Sequence, residues 1–383
     1  MALDIRQLLK VMVDRDASDI YLTVDLPASY RIQGTVQSIG DESLTNENLE
    51  ALALAIMRDR QRKEFEESME MNLALYYPDL GRFRVNIFRQ RGNVGIVIRQ
   101  IKVEIVPIEK LGLPTILKEI AVTKRGLALF VGATGSGKST SLAAIIDYRN
   151  ERGPGHIISV EDPIEFVHRH KKSVISQREV GFDTHSYEAA LKNTLRQAPD
   201  VILIGEIRDK DTMEAAITFA ETGHLCLSTL HANNANQAIE RIMNFFPPER
   251  HQQIYLQLSL NLRAIVSQRL IPSLDGKRVA ACEVLMDTPR AKDLIKKGHI
   301  DFLKEAMEQG AQEGSQTFDM VLFELYKAGK VSLEQALINA DSTNNLRLKI
   351  KLAGLQTDED MAAPDKTHAA KGPSLQMKGR SHL

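Results

Sequence analysis

A chain of 383 residues is too long for one small core and suits two ordinary domains of about 150 residues each. With 43% hydrophobic and 26% charged residues and no tryptophan, the composition is that of a globular protein and excludes a fibrous or largely disordered one. A formal net charge of −1 supplies no broad positive field for a phosphate backbone, so nucleic acid is a disfavoured partner.

The first ten residues mix Asp4, Arg6 and Lys10 among apolar neighbours, so they lack the continuous apolar core of a signal peptide. No run of 18 apolar residues follows, and direct membrane insertion is not expected. Cys226 and Cys282 lie in apolar segments without a CxxC pair, which predicts buried thiols in a reducing cytoplasm rather than a disulfide or a zinc site.

In chain order, Ile5, Leu8, Leu9 and Met12 share helical spacing, and Ser18 to Val24 and Tyr30 to Ile39 read as strands around the Leu26-Pro27-Ala28 turn. A helix is expected to begin at the capping residues Thr45 and Asn46. From Arg82 the period becomes two. Phe83, Val85 and Ile87 share a face, as do Val94, Ile96 and Ile98 beyond a turn at Arg91-Gly92-Asn93. The opposite face of this hairpin carries Arg82, Arg84 and Arg99, which suit either a solvated edge or an anion on another subunit.

Residues 101–113 have no clear period and read as a linker, with Pro114 opening the next helix. Beyond it, short apolar runs recur between helical segments at Leu127–Val131, Ile157–Val160, Val201–Ile204 and Leu225–Thr229. Runs without a polar face suit parallel strands covered on both sides. From about Gln356 the chain is polar, with few large apolar residues, and is expected to be disordered.

Gly132-Ala133-Thr134-Gly135-Ser136-Gly137-Lys138-Ser139, followed by Thr140, fits G-x-x-x-x-G-K-[ST] between an apolar strand and a helix-compatible stretch. The glycines allow successive N–H groups to face phosphate oxygens, and the helix N-terminus adds partial positive charge. Lys138 is placed to neutralise the β and γ phosphates of ATP, and Ser139 to ligate Mg²⁺. The pattern arises by chance in about one chain in a hundred of this length, so its strand–helix context is the stronger half of the argument.

Three downstream segments narrow the class. Glu161-Asp162-Pro163-Ile164-Glu165-Phe166 places carboxylates after an apolar strand, where strand ends face a nucleotide crevice and a carboxylate can orient water. Val201–Ile204 leads through Gly205 into Glu206, an acid placed to hold Mg²⁺ or its water ligands. His224 and His231 flank a third strand; a single histidine is more often structural, but His231 is placed to sense a γ-phosphate.

The order of these four segments, P-loop, EDPIEF, GEIRD and STLH, resembles the Walker A, Asp box, Walker B and His box of the secretion ATPase superfamily. Ala17-Ser18-Asp19-Ile20, Arg82-Phe83-Arg84-Val85-Asn86 and Gln177-Arg178-Glu179-Val180-Gly181 extend the likeness over roughly residues 1–355. Lacking the extra N-terminal domain and four-cysteine motif of the extension and secretion ATPases, the chain is similar to the retraction branch, the PilT/PilU family of type IV pilus ATPases. Ala291-Lys292-Asp293-Leu294-Ile295-Lys296-Lys297 departs from the AIRNLIRE-like motif of PilT, which with the polar tail favours PilU-like character.

That resemblance implies an α/β fold, in which a small PAS-like α+β domain (1–100) and a linker (101–113) precede a RecA-like P-loop NTPase domain with C-terminal helices (114–355) and a tail (356–383). It implies Glu165 as general base with Glu161 competing, Glu206 as the Walker B acid, His231 as sensor, and Arg84 and Arg99 as residues acting in trans on a neighbour's ATP. The implied assembly is a homo-hexamer, cytoplasmic and peripheral at the inner membrane. It works on a pilus platform protein, with or without a second retraction ATPase. The open alternatives are an extension or type II secretion ATPase, a nucleic-acid translocase, and a ring component that is mainly structural.

Overall fold

The computed structural model describes residues 3–101 and 104–355. By proximity along the fold the chain divides into one unit of Met1–Ile271 with Arg278–Thr317 and another of Pro272–Lys277 with Phe318–Leu383.

The first unit opens with α1 (Ile5–Asp14), whose first turn is capped by the Asp4 carboxylate accepting from the Arg6 amide at 2.9 Å. There follow β1 (Ala17–Leu22), β2 (Ser29–Ile32), β3 (Thr35–Ser38), α2 (Asn46–Ile56), α3 (Asp59–Ser68), β4 (Glu70–Tyr77), β5 (Gly81–Gln90) and β6 (Asn93–Ile101). The strands form one sheet in the order β3-β2-β1-β6-β5-β4. Its inner face carries Phe83, Val85, Ile87, Val94, Ile96 and Ile98, all buried against Leu9, Met12 and Leu49 of the helices.

Tyr30 to Ile39, expected as one strand, is a hairpin. Gln33 (φ 49°) and Gly34 (φ 83°) both adopt the positive φ that a tight two-residue turn requires, so the chain reverses and β2 pairs with β3 from Ser29↔Ser38 to Ile32↔Thr35.

Within the linker stretch, Ile108–Leu111 forms a 3₁₀ turn ending at Gly112 in the left-handed region. The chain continues through α4 (Ile116–Val122), β7 (Gly126–Val131), α5 (Lys138–Arg152), β8 (Gly155–Glu161), β9 (Ser173–Glu179), α6 (Tyr187–Thr194), β10 (Val201–Ile204) and α7 (Lys210–Glu221). It then runs through β11 (Leu225–Leu230), α8 (Ala235–Asn244), α9 (His251–Asn261), β12 (Leu262–Pro272), β13 (Arg278–Met286), α10 (Pro289–Lys297) and α11 (Leu303–Gln309).

These strands order as β13-β12-β7-β11-β10-β8-β9, with parallel pairing from β12 through to β9. Every residue of β7, β10 and β11 is buried because helices cover both faces. Along β7, Leu127, Leu129 and Val131 enter the core on one face, while Ala128 and Phe130 enter the core on the other. The four anticipated strands are all present, and β9, β12 and β13 add to them.

Cys226 and Cys282 are free and buried, and burial pushes both thiols up, Cys282 to about 12. No described helix is long and apolar enough to cross a membrane.

The second unit contains α12 (Phe318–Lys327), α13 (Leu333–Ile338) and α14 (Thr343–Leu352). Its small core buries Leu322, Leu346 and Ile350, and the Asp319 carboxylate accepts from the Asp341 amide at 2.8 Å. The tail expected to be disordered lies outside the described residues.

Candidate active site

The carboxyl ends of β7, β8, β10 and β11 converge on a cleft of about 450 Å³. This is where a parallel sheet collects catalytic groups, since its strand ends share one edge.

β7 leads into Gly132, and α5 starts at Lys138. Gly132 (φ 151°) and Gly137 (φ 90°) both adopt positive φ. A Cβ on Gly132 would lie 2.6 Å from the Gln268 carbonyl oxygen, so backbone angle and space both demand glycine there, while at Gly137 the backbone angle makes the demand and the nearest neighbour is the end of the Gln268 side chain, Nε2 at 2.7 Å. Gln268 on β12 also accepts from Ser141 Oγ at 2.7 Å, which fixes the floor under the loop.

Lys138 is 8% exposed, and its Nζ donates to the Gly132 and Ala133 carbonyls at 2.7 and 2.9 Å. Burial lowers its pKa, while Glu206 and Glu165 oppose that shift. Ser136 Oγ is buried without a partner, a donor available to an anion held by the loop. Thr134, Gly135, Ser139 and Thr140 complete this wall of the cleft.

Ser139 Oγ donates to Glu165 Oε1 at 2.7 Å, bringing the hydroxyl at the start of α5 against the carboxylate 26 residues downstream. Glu161, at the end of β8, accepts from Ser159 Oγ at 2.6 Å and Gln177 Nε2 at 3.2 Å. Burial pushes its carboxyl up to about 7. Glu206 follows β10, with Oε2 accepting from Arg208 Nε at 2.7 Å and Oε1 lying 3.2 Å from His231 Nε2. Arg208 reaches on to Asp162 Oδ2 at 3.1 Å.

The raised Glu161 carboxyl sets a sign for stability. Between about 4.5 and about 7 the unfolded chain releases this proton while the folded chain keeps it, so stability declines as pH rises through that window. Glu161→Gln is expected to flatten the decline. Urea midpoints of the two proteins at about pH 5 and about pH 7.5 would show equal slopes if Glu161 did not carry it.

The cleft therefore assembles the P-loop, Glu161, Glu165, Glu206 and His231 from four strand ends. Arg84 and Arg99 lie elsewhere, as register partners on β5 and β6. Arg99 Nε bonds Asp19 Oδ1 at 2.7 Å, and Asp19 is buried. Sequence reasoning had assigned no role to Arg208, Tyr187 or Gln268. Arg208 stood within GEIRD, yet its bridge to Asp162 spans 46 residues. Tyr187 lines the cleft with its hydroxyl buried and unpartnered, close to Gly205.

The family described as Type II/IV secretion system protein matches residues 2–352. This chain is a member of that family. It is 53% identical to the type IV pilus ATPase PilU of Pseudomonas aeruginosa, over 94% of each chain. It is 41% identical to that organism's type IV pilus retraction ATPase PilT, over 90% of this chain and all of PilT. Among solved structures, the pilus retraction motor PilT with bound ADP superposes with a TM-score of 0.85 at 39% identity, covering 90% of this chain and 99% of that one. The family assignment makes the chain a nucleotide-using ATPase with a RecA-like domain behind an N-terminal domain, as the motif order implied.

Proposed function

We propose that the chain is a Mg²⁺-dependent ATP motor for type IV pilus retraction and twitching motility, PilU-like in character. The observation that carries this reading is likeness to PilU along nearly the whole of both chains, joined to a P-loop whose Ser139 already meets Glu165. The α10 sequence, with Lys292 and Asp293, supports the PilU-like over the PilT-like assignment.

ATP fits the P-loop because its glycine angles, the unpartnered Ser136 hydroxyl and Lys138 together form an anion cradle. Mg²⁺ suits a site of one hydroxyl and few carboxylates, since it keeps waters and binds phosphate oxygens rather than needing an all-protein cage. Ser139 and Glu206 would hold it, and it would supply positive charge that offsets the negative charge of the reacting phosphates.

Glu165 orients and deprotonates the attacking water, with Glu161 as the competing base. Glu206 holds the metal or its waters, and His231, beside Glu206, senses the terminal phosphate. Arg84 and Arg99 act on the ATP of a neighbouring subunit in a homo-hexamer, so hydrolysis changes how one chain's residues 1–100 grip the next chain's residues 114–355. The ring works from the cytoplasm, peripheral at the inner membrane, on a pilus platform protein, with or without a second retraction ATPase.

Complementing a deletion strain with wild type or Lys138→Ala tests this reading. Twitching and pilus retraction are expected to return with wild type alone. Recovery with both would replace the motor by a structural ring partner, and recovery with neither would remove the pilus assignment.

A further inference from the structure

Glu179 closes β9 at 2% exposure, and a carboxylate so buried requires partners. It has them on two sides. Arg82 Nη2 reaches its Oε2 at 3.2 Å from β5, in the six-stranded sheet, and the Ile164 amide donates to the same oxygen at 3.4 Å from the Asp box. Burial raises the Glu179 pKa, while Arg82, then the Ile164 amide and then Arg84 oppose the shift.

Ile164 is one residue from Glu165 and is itself only 1% exposed, which leaves the backbone there little freedom. At the other end of the same loop, the Val180 amide donates to the Glu161 carbonyl at 2.9 Å. Segment 161–165 is thus tied at both ends to the end of β9. One of those ties runs through a carboxylate whose charge partner lies in the other sheet. A buried ion pair is a poor source of stability compared with apolar packing, so this one is better explained by the position it specifies.

We propose that Arg82 is a positioning residue for ATP hydrolysis: it fixes the Glu179 carboxylate, which holds the Ile164 amide and thereby sets Glu165 against Ser139. Turnover then depends on where β5 sits relative to the catalytic loop. This rests on the reading of Glu165 as the base.

The experiment measures steady-state ATP turnover of Arg82→Gln, Arg82→Lys, Glu179→Gln and the double variant Arg82→Gln/Glu179→Gln, with amide exchange of residues 161–166 followed in each. Arg82→Gln is expected to lower kcat about tenfold, with KM for ATP within about twofold, and to speed exchange at Ile164. Arg82→Lys should recover most of the loss, and the double variant should be no slower than the worse single one.

Wild-type kcat in Arg82→Gln, additive losses in the double variant, or a KM that rises as kcat falls would overturn the proposal, the last because it would place the guanidinium on the nucleotide. Glu165→Gln, assayed beside them, separates the two readings. Full turnover there discards Glu165 as base, whereas slow turnover there with a normal Arg82→Gln discards only the relay.

Discussion

Lys138→Ala is expected to reduce ATP turnover at least ~100-fold. Charge-assisted hydrogen bonds contribute ~1.5–3 kcal/mol each, and every 1.36 kcal/mol is a factor of ten, so losing two contacts to the β and γ phosphates suffices. The fold should survive. Lys138 is buried with its ammonium on the Gly132 and Ala133 carbonyls, so alanine removes two hydrogen bonds but also a desolvated charge, a net change of about 1 kcal/mol. Nucleotide affinity by calorimetry and the thermal midpoint of the apoprotein together check this. Intact affinity would remove Lys138 from the phosphates, and a collapsed midpoint would make it a structural residue instead.

Much of this site was legible in the sequence because its constraints are local. Gly132 and Gly137 both stand at positive φ, Gly132 also against a backbone oxygen under 3 Å away, and that requirement is written as a spacing. Glu161 ends, and Glu206 and His231 follow, strands whose buried and largely apolar runs announce them. The same logic explains what was hidden. β9 reads Ser-Val-Ile-Ser-Gln-Arg-Glu, and as the outer strand of its sheet it buries only alternate positions at its ends, so no apolar run marks it. The turn at Gln33-Gly34 lay inside a stretch whose flanks both favour strand, and a single glycine with an unremarkable neighbour was too slight a sign of reversal.

Long-range pairing is the other invisible class. Arg82 and Glu179 are 97 residues apart, and nothing in either segment names the other. Arg99 read as an exposed charge suited to a neighbour's phosphate. Its side chain is 70% exposed, while its Nε is already committed to the buried Asp19. A trans role therefore requires either the remaining guanidinium nitrogens or release of that pair. Arg84→Ala is for this reason the cleaner probe of the two.

Glu206→Gln separates binding from chemistry where Lys138→Ala removes both. The substitution keeps shape and one carbonyl acceptor, so Arg208 Nε retains a neutral partner in place of the carboxylate and Arg208 Nη1 keeps Asp162. What disappears is the negative charge beside His231 and Lys138, the charge assigned to Mg²⁺ and its waters. Affinity for ATP should stay within about tenfold of wild type, because the P-loop contacts are untouched, while kcat falls ~100- to 1,000-fold as electrostatic stabilisation of the transferred phosphoryl group is lost. Single-turnover hydrolysis alongside equilibrium binding reads the two effects apart. If affinity and turnover fall together, Glu206 serves the nucleotide rather than the reaction, and the acid that organises hydrolysis must be sought at Glu161 or Glu165.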